Sequence, residues 1–516
     1  MRLSIRNSAL IILLVAFIHG LPAQQNQHSP AAFELWQAKR LWHQSTNASG
    51  SLIDNPYQYS LLNAGYLFYG GDFHRPQEGK SGSEFSVHTE GVQLLKRLYT
   101  WGSFNYTQED IAEAGYNTSL INPYRGMPYI VADTNLSQWL KQHYDLRFKV
   151  ATVQSSNFSF GLEGIYNASI GAKQRDVRTK NQLYLLQLKP GMTYSINKSH
   201  HIGLNADFFS LKEESRNSNV NTYIDQKYYE LYGLGTAVES IGSGRTTNYT
   251  GYNFGGGIQY NYKGDINLMV EGTYDNKKED VQVSFSTPKP DAMVDDTRIR
   301  GKITLFTTKS DLTHYFSGSF SNRLIDGTQH LTQFNNAIDQ RKWVIVSSSI
   351  RSKYKTTNIN TQYDLIKERS DEYSWKAGLG VSYTSVNDAY LLPHSYKKAN
   401  NLLFNIHGKK NFFLSNLLSK RLLIGMTLEY KHNLSGAYLY SGQNPDYPSV
   451  KDLEKPDLEY LISDYQAAEF AATYSRKLNA EKKTNLYLEL NFRYINTSDF
   501  NYNNRYFGQI KFGAHF

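Results

Sequence analysis

The chain has 516 residues, a formal charge of +9 and no cysteine. The lack of thiols excludes disulfides, thiolate metal sites and cysteine nucleophiles, and a mild charge with acids and bases interspersed argues against a nucleic-acid partner. With 40 tyrosines, 26 phenylalanines and 37 glycines but a negative mean hydropathy, the composition suits strands with one oily face, and no run after Ile18 approaches the roughly 20 apolar residues of a membrane helix.

At the amino end Arg2 and Arg6 precede the apolar run Ala9–Ile18, and His19–Ala23 leads to a cut before Gln24. This order predicts a signal peptide over 1–23, because its apolar core is too short to span a bilayer. With no cysteine following, a bacterial lipid anchor is excluded, and export without cysteine predicts a Gram-negative envelope. Residues 24–58 read as a periplasmic N-terminal segment. Within it Phe33, Leu35, Trp36, Ala38, Leu41 and Trp42 are spaced for one short amphipathic helix over Ala31–His43. That helix lies on the periplasmic rim or reaches into a lumen as a small plug; the pattern leaves both open.

From residue 59 to 516 alternation takes over, predicting an all-β transmembrane antiparallel barrel. Ile202, Leu204, Ala206 and Phe208 form one apolar file, as do Leu422, Ile424, Met426, Leu428 and Tyr430. Tyr252–Tyr262 and Ile266–Tyr274 read as a hairpin turned at Lys263 and Gly264. Short periplasmic turns are expected near Lys96, Ser156, Ser199, Lys263, Ser310, Ser370, Ser415 and Ala480. Long extracellular loops are expected over Gln108–Leu140, Lys212–Thr250, Asn276–Asp296, Arg323–Arg341 and Ser435–Tyr460. Of the 13 prolines only Pro190 falls inside a predicted strand, where a bulge or edge irregularity is expected. Both chain ends facing the periplasm requires an even strand number. Treating Trp343–Glu368 as one strand gives about 18, with 16 as the alternative. The last strand, Tyr506–Phe516, has Tyr506, Gly508, Ile510, Phe512, Ala514 and Phe516 on one face and Gln509, Lys511, Gly513 and His515 on the other. An aromatic carboxyl terminus on such a strand looks like the signal read by the barrel assembly machinery, and a lipid-facing file implies outer-membrane lipid around it. A secreted β-sandwich is the competing class; it need not keep one face oily through so many hairpins.

The segments Gly71–Gly79 (GDFHRPQEG), Trp101–Tyr106 (WGSFNY), Asn122–Asp133 (NPYRGMPYIVAD) and Leu188–Tyr194 (LKPGMTY) resemble motifs of an uncharacterised outer-membrane β-barrel family of Bacteroidota. The resemblance implies a porin-like integral barrel of unknown function. It also implies a surface lipoprotein or TonB-dependent receptor as partner in nutrient or iron acquisition, and it brings no catalytic residues. A TonB-dependent receptor itself needs a globular plug domain ahead of a larger barrel, for which residues 24–58 are too few.

Function then reduces to what fills or passes the lumen. The predicted lumen-lining residues are Glu90, Glu163, Asp207, Arg298, Arg300, Lys302, Glu429, Glu489 and Arg493, with Lys189, Glu271, Lys431 and Lys511 in the same inward files. Charges of both signs suit a solute channel or transport accessory; the alternative is that they pair and close the lumen. Arg298, Arg300 and Lys302 share one strand face and favour anions. A binding or scaffold barrel would instead use its loops, with Tyr124, Tyr129, Asp133, Tyr228 and Tyr229 as candidates for protein or glycan contact; the alternative is that these tyrosines pack the loops. An outer-membrane hydrolase is the least favoured class: no HExxH or GxSxG spacing occurs, and His200 and His201 point oppositely on a strand. No cofactor, metal or catalytic residue is assigned. GYNFGGG at Gly251–Gly257 lies in a strand rather than before a helix, so lumen clearance is preferred to phosphate binding, and inward Gly251, Gly255 and Gly257 suit an occupied lumen.

Overall fold

Period-two alternation becomes one continuous hydrogen-bonded ladder in the computed structural model. It describes residues 29–116, 120, 122–221, 223–224, 226–242, 245–284, 287–337, 341–415, 419–478 and 484–516; the expected signal peptide lies outside them. In chain order the strands are β1 (Tyr59–Gly71), β2 (Ser81–Leu95), β3 (Leu98–Ala114), β4 (Ile130–Ala132), β5 (Ser137–Thr152), β6 (Phe158–Lys173) and β7 (Arg178–Ser195). They continue as β8 (His200–Ser218), β9 (Lys227–Gly233), β10 (Thr236–Ile241), β11 (Arg245–Tyr262), β12 (Asn267–Ser284), β13 (Lys289–Lys309) and β14 (Leu312–Asn335). The rest are β15 (Lys342–Arg369), β16 (Glu372–Leu391), β17 (His394–Ser415), β18 (Lys420–Leu439), β19 (Tyr465–Lys477), β20 (Asn485–Asn496) and β21 (Asn504–His515). Strands β4, β9 and β10 form a small sheet within the loops, while the other 18 make one antiparallel sheet that β1 and β21 close. The expected strand number and the single long strand through Trp343–Glu368 both agree with this barrel.

Side chains sort by the pleat. Leu490, Ile510 and Tyr66 are register neighbours on β20, β21 and β1, and all three are exposed on the outer face. The intervening Glu489 and Lys511 pair on the inner face at 3.3 Å. No helix among the described residues is long and apolar enough to cross a membrane; a barrel crosses with strands, each needing about 9–11 residues.

Among the described residues the short turns fall where the alternation breaks, and the turn expected near Ala480 lies outside them. Ser310 and Ser370 sit in the left-handed region at φ 58°, which tight hairpin turns between right-twisted strands require. The Lys263 turn differs from expectation: Tyr262 pairs with Leu268, so residues 263–267 make a longer connection than the Lys263–Gly264 pair. That register is the one that keeps both apolar files on the same face.

The expected long loops were drawn too wide. β12 runs on to Ser284 and β13 starts at Lys289, so most of Asn276–Asp296 is ladder. β15 has 28 residues, roughly 90 Å of chain at about 3.3 Å per residue, far more than a bilayer needs. Outside the oily layer the outer face turns polar, so the lipid-facing file ends although backbone pairing continues. In β12 and β13 the inner face takes apolar residues such as Val281 and Val294 that pack under the loops. Pro290 therefore also lies in a strand, beside a register shift at Val281/Gln282. Pro190 interrupts the β7–β8 ladder without a bulge: the pairs Leu188–Phe208 and Gly191–Asn205 keep one register.

Helix α1 (Pro30–Lys39) is capped by Ser29, whose hydroxyl accepts from the Ala32 amide at 3.2 Å, with Pro30 in its first turn. It ends before the expected His43 because the Trp42 and His43 amides donate to the Asp54 carboxylate, at 3.2 and 2.8 Å, and the chain turns back. Helix α2 (Lys455–Ile462) follows a π-helical turn over Ser449–Glu454 in the β18–β19 loop.

If Ile510 faces lipid and Gln509 the lumen, Ile510→Lys should cost about 2–4 kcal/mol near the bilayer midplane, and Gln509→Lys about 0.5 kcal/mol or less. Urea unfolding of the reconstituted barrel, followed by its heat-modifiable gel migration, measures both; equal costs would contradict the facing.

Candidate functional site

Both ends of the barrel interior are occupied by the chain itself. At the short-turn end, residues 29–58 cross the mouth. Lys149 of β5 donates to the carbonyls of His43 at 2.7 Å and Ser45 at 3.4 Å. Nine strands round the ring, Tyr373 of β16 donates to Glu34 at 2.8 Å, and Lys409 of β17 does so at 2.9 Å. Opposite sides of the wall are thus bridged by one segment. Lys39 adds an ion pair with Glu368 at 2.5 Å, and Thr46 donates to Glu271 at 2.6 Å. Apolar contacts seat the rim: Phe33 shares a cluster with Tyr59, Tyr99 and Trp101, and Leu41 and Trp42 share one with Met269 and Phe306.

The tightest point is the turn Asn47–Gly50. The Asn47 side chain donates to the Met192 and Leu204 carbonyls, both at 3.1 Å, and to Gln259 at 3.0 Å, while accepting from the Ser49 amide at 3.0 Å. Ser49 and Thr193 hydroxyls meet at 2.6 Å. The backbone approaches this closely because Gly161 and Gly191 are cross-strand partners. A Cβ at Gly161 would overlap the Ala48–Ser49 backbone, and one at Gly191 the Asn47 side chain. The glycines singled out from sequence do something else: Gly255 and Gly257 make room for wall side chains, Asp275 and Asn205. Burial, with Arg40 and Lys149 nearby, pushes the His43 imidazole down to about 2, leaving it neutral. Burial also pushes the Asp54 carboxyl up to about 6 against the pull of its amide donors and Arg40.

At the other end the loops fold inward. Arg75 forms a fork to Asp457 at 2.7 and 3.0 Å, and Lys397 reaches Asp457 at 2.7 Å and Glu454 at 2.6 Å. Burial opposes the Asp457 charge, but Lys397 and Arg75 outweigh it and hold the carboxyl down to about 2. Arg125 reaches down to Glu279 on the wall at 2.7 Å. Beneath this cap lies a chamber of about 460 Å³, walled by β13–β16 and roofed by Tyr124–Pro128 and α2.

The predicted lumen residues divide by what they meet. Glu90 accepts from Tyr59 at 3.0 Å and from Gln37 of the segment at 3.5 Å. Wall pairs take up Glu163 with Lys189 at 3.7 Å, Glu429 with Arg493 at 2.6 Å, and Glu489 with Lys511. Asp207 accepts from Gln187 at 2.7 Å, and Arg300 pairs with Asp275. Lys431 holds the loop carbonyls of Leu461 and Ser463 at 2.7 and 2.9 Å. Arg298 and Lys302 make no hydrogen bond or ion pair with the described residues, and Arg298 faces the chamber.

The predicted loop residues turn inward. Tyr124 lies under the Arg75 guanidinium, 3.2 Å from ring centroid to carbon, and its hydroxyl accepts from the Gln77 amide at 2.9 Å. Tyr129 is buried, its carbonyl accepting from Tyr249 at 3.1 Å. Asp133 forms a buried ion pair with Lys173 at 2.5 Å. Tyr228 is half-buried on β9, and buried Tyr229 donates to Glu239 at 3.1 Å. Sequence reasoning missed Asn47, Arg125 and the Arg75–Asp457–Lys397 group. The Gln44–Ser51 run of small polar residues was a signal for a tight turn, but its wall partners show only once the register is known.

Residues 48–516 match a family described as a family of unknown function (DUF6850). No curated protein matches the chain. Among solved structures it is similar to the ferric preacinetobactin receptor BauA from Acinetobacter baumannii, at 8% identity and TM-score 0.40 over 89% of this chain and 80% of that one. It is similar to the RagAB peptide transporter at 8% identity and TM-score 0.40, covering 88% of this chain and 86% of that one. For the copper transporter OprC the values are 8%, 0.40, 88% and 80%.

Asp457 gives the loop cap a defined acid limit. Its folded pKa of about 2 lies below that of a free aspartate, so its contribution is complete above about pH 4 and is lost as the pH falls through about 2. Pepsin cleavage within 440–464 of the folded barrel should rise between pH 4 and pH 2, and Asp457→Asn should be cut already at pH 4. Cleavage independent of pH in the native chain would contradict the anchoring role.

Proposed function

Since the chain belongs to the family of unknown function that it matches over residues 48–516, we propose that it is a solute-transport barrel of a Gram-negative outer membrane, gated by its own N-terminal segment. One observation carries this reading. The obstruction at the short-turn mouth is residues 29–58, joined to the wall at Tyr59 only, rather than wall side chains packed across the lumen. Eighteen strands are wide enough to enclose an aqueous channel. A tethered segment can leave that channel without breaking any ladder hydrogen bond of the wall. The deep part of its seat is polar, so water can take over the groups it vacates there, Glu271, Gln259, Lys149 and Glu90. The apolar rim clusters of Phe33, Leu41 and Trp42 favour the docked state.

Loop-mediated recognition by a closed scaffold is the weaker reading, because Tyr124, Tyr129 and Tyr229 are committed to packing. The charged interior suits polar or ionic cargo, and a surface or periplasmic partner that withdraws the segment fits the same scheme.

Planar-bilayer recording tests the gate. The native barrel should show little steady conductance. Gly161→Ala, which places a methyl where the Ala48–Ser49 backbone lies, combined with Asn47→Ala, should produce long open events at unchanged heat-modifiable folding. A native barrel that conducts steadily would overturn gating, and a folded double variant that stays silent would favour the closed scaffold.

A further inference from the structure

The wall of the chamber under the loop cap is a regular grid set by strand register. Arg300 on β13, Ser321 on β14, Asn358 on β15 and Thr384 on β16 are successive cross-strand partners. The next row toward the cap is Arg298, Arg323, Thr356 and Val386. All but Arg300 line the cavity.

Within this grid the charges are unevenly satisfied. Arg323 is taken by Asp296 at 2.8 and 2.6 Å, and Arg300 by Asp275. Arg298 lies beside both arginines, and the two nearby carboxylates are thereby occupied. It is left as an arginine without a hydrogen bond or ion pair among the described residues. At the far side of the grid Asp388 is the cross-strand partner of Lys397, whose ammonium is held by Asp457 and Glu454, so the chamber's acids gather at the β16–β17 end, away from Arg298. The β13–β14 end of the chamber wall is therefore its positive end, centred on Arg298, whose planar fork suits an oxyanion. Between Arg298 and Thr384 stand hydroxyl and amide groups: Ser321 and Thr356 make no hydrogen bond with described residues, and Thr384 donates to Asn358 at 3.0 Å. Three strand spacings separate the ends of a row, roughly 14 Å at about 4.8 Å each, and inward-pointing side chains shorten that span.

We propose that this chamber binds an acidic sugar of about disaccharide length, its carboxylate on Arg298 and its hydroxyls on Ser321, Asn358, Thr356 and Thr384. This deepens the transport reading and rests on it for its biological sense, although binding itself does not require passage. A simple anion would leave the hydroxyl and amide row unused, and a neutral sugar would leave Arg298 unpaired.

The test is calorimetric titration of the full barrel in detergent, with lactobionate, lactose and acetate as probes. Native protein and the Gly161→Ala, Asn47→Ala double variant, expected to release the segment from the mouth, are both measured so that access does not decide the result. Lactobionate should bind at least tenfold more tightly than lactose or acetate. Arg298→Gln should lower lactobionate affinity at least tenfold and leave lactose unchanged. Thr384→Val should weaken lactobionate severalfold and leave acetate unchanged, with heat-modifiable migration reporting the fold of each variant. Equal binding of lactose, equal binding of acetate, indifference to Arg298→Gln, or no binding to either protein overturns the proposal. Binding in micelles with a silent bilayer record would instead refute transport and leave the sugar site standing.

Discussion

Everything in this molecule depends on the pairing of its first strand with its last. Tyr59–Gly71 runs antiparallel to Asn504–His515, and the Ser60 and Phe516 backbones exchange hydrogen bonds at 3.3 and 2.8 Å. In hydrocarbon an open sheet edge would strand a row of amides and carbonyls, each at a cost of several kcal/mol, so the sheet must close. Closure also places Tyr59 at the short-turn mouth. The residues that precede it are thereby delivered to that mouth, and the segment 29–58 has nowhere nearer to bury its aromatic side chains.

The seat of that segment is of two kinds, and the difference matters. Phe33, Leu41 and Trp42 bury apolar surface against the rim, which favours the docked state. Deeper in, Asn47, Thr46 and Ser49 satisfy wall groups that a wide lumen would otherwise leave to water. A net hydrogen bond of this sort is worth only about 0.5–1.5 kcal/mol because water competes for it. The docked segment is thus specific without being irreplaceable. The loop cap is built differently: Arg75, Lys397, Asp457 and Glu454 are nearly enclosed, and losing one partner would leave a buried charge uncompensated.

Legibility followed the solvent. Where lipid faces the wall, as on β20 and β21, the file Leu488, Leu490, Phe492 and the file Ile510, Phe512 were plain, because lipid accepts only one kind of side chain. Beyond the bilayer the same ladders continue through Lys277–Gln282 and Met293–Asp296, and there the lipid-facing file ends: the outer face is polar, while inner Val281 and Val294 pack under the loops with Tyr129 and Tyr249. Loop tyrosines look alike whether they greet a partner or pack a roof. Arg75 over Tyr124 and the Tyr249 bond to Tyr129 join residues far apart in sequence, so nothing local marks them. Inward charges were identifiable as inward, but which of them pair depends on neighbours two strands away, as with Glu429 and Arg493.

Sequence by itself determined the wall: all-β, antiparallel, about 18 strands with 16 as the alternative, β15 unbroken and short turns at places such as Ser310 and Ser370. It could do so because alternation is a local property enforced by a two-sided solvent. Only the tertiary structure decided what stands inside. The glycine pair Gly161–Gly191, the Asn47 turn it admits, the paired lumen charges and an Arg298 without a partner among the described residues all arise from register and ring closure. Those bring together residues between which no local pattern runs.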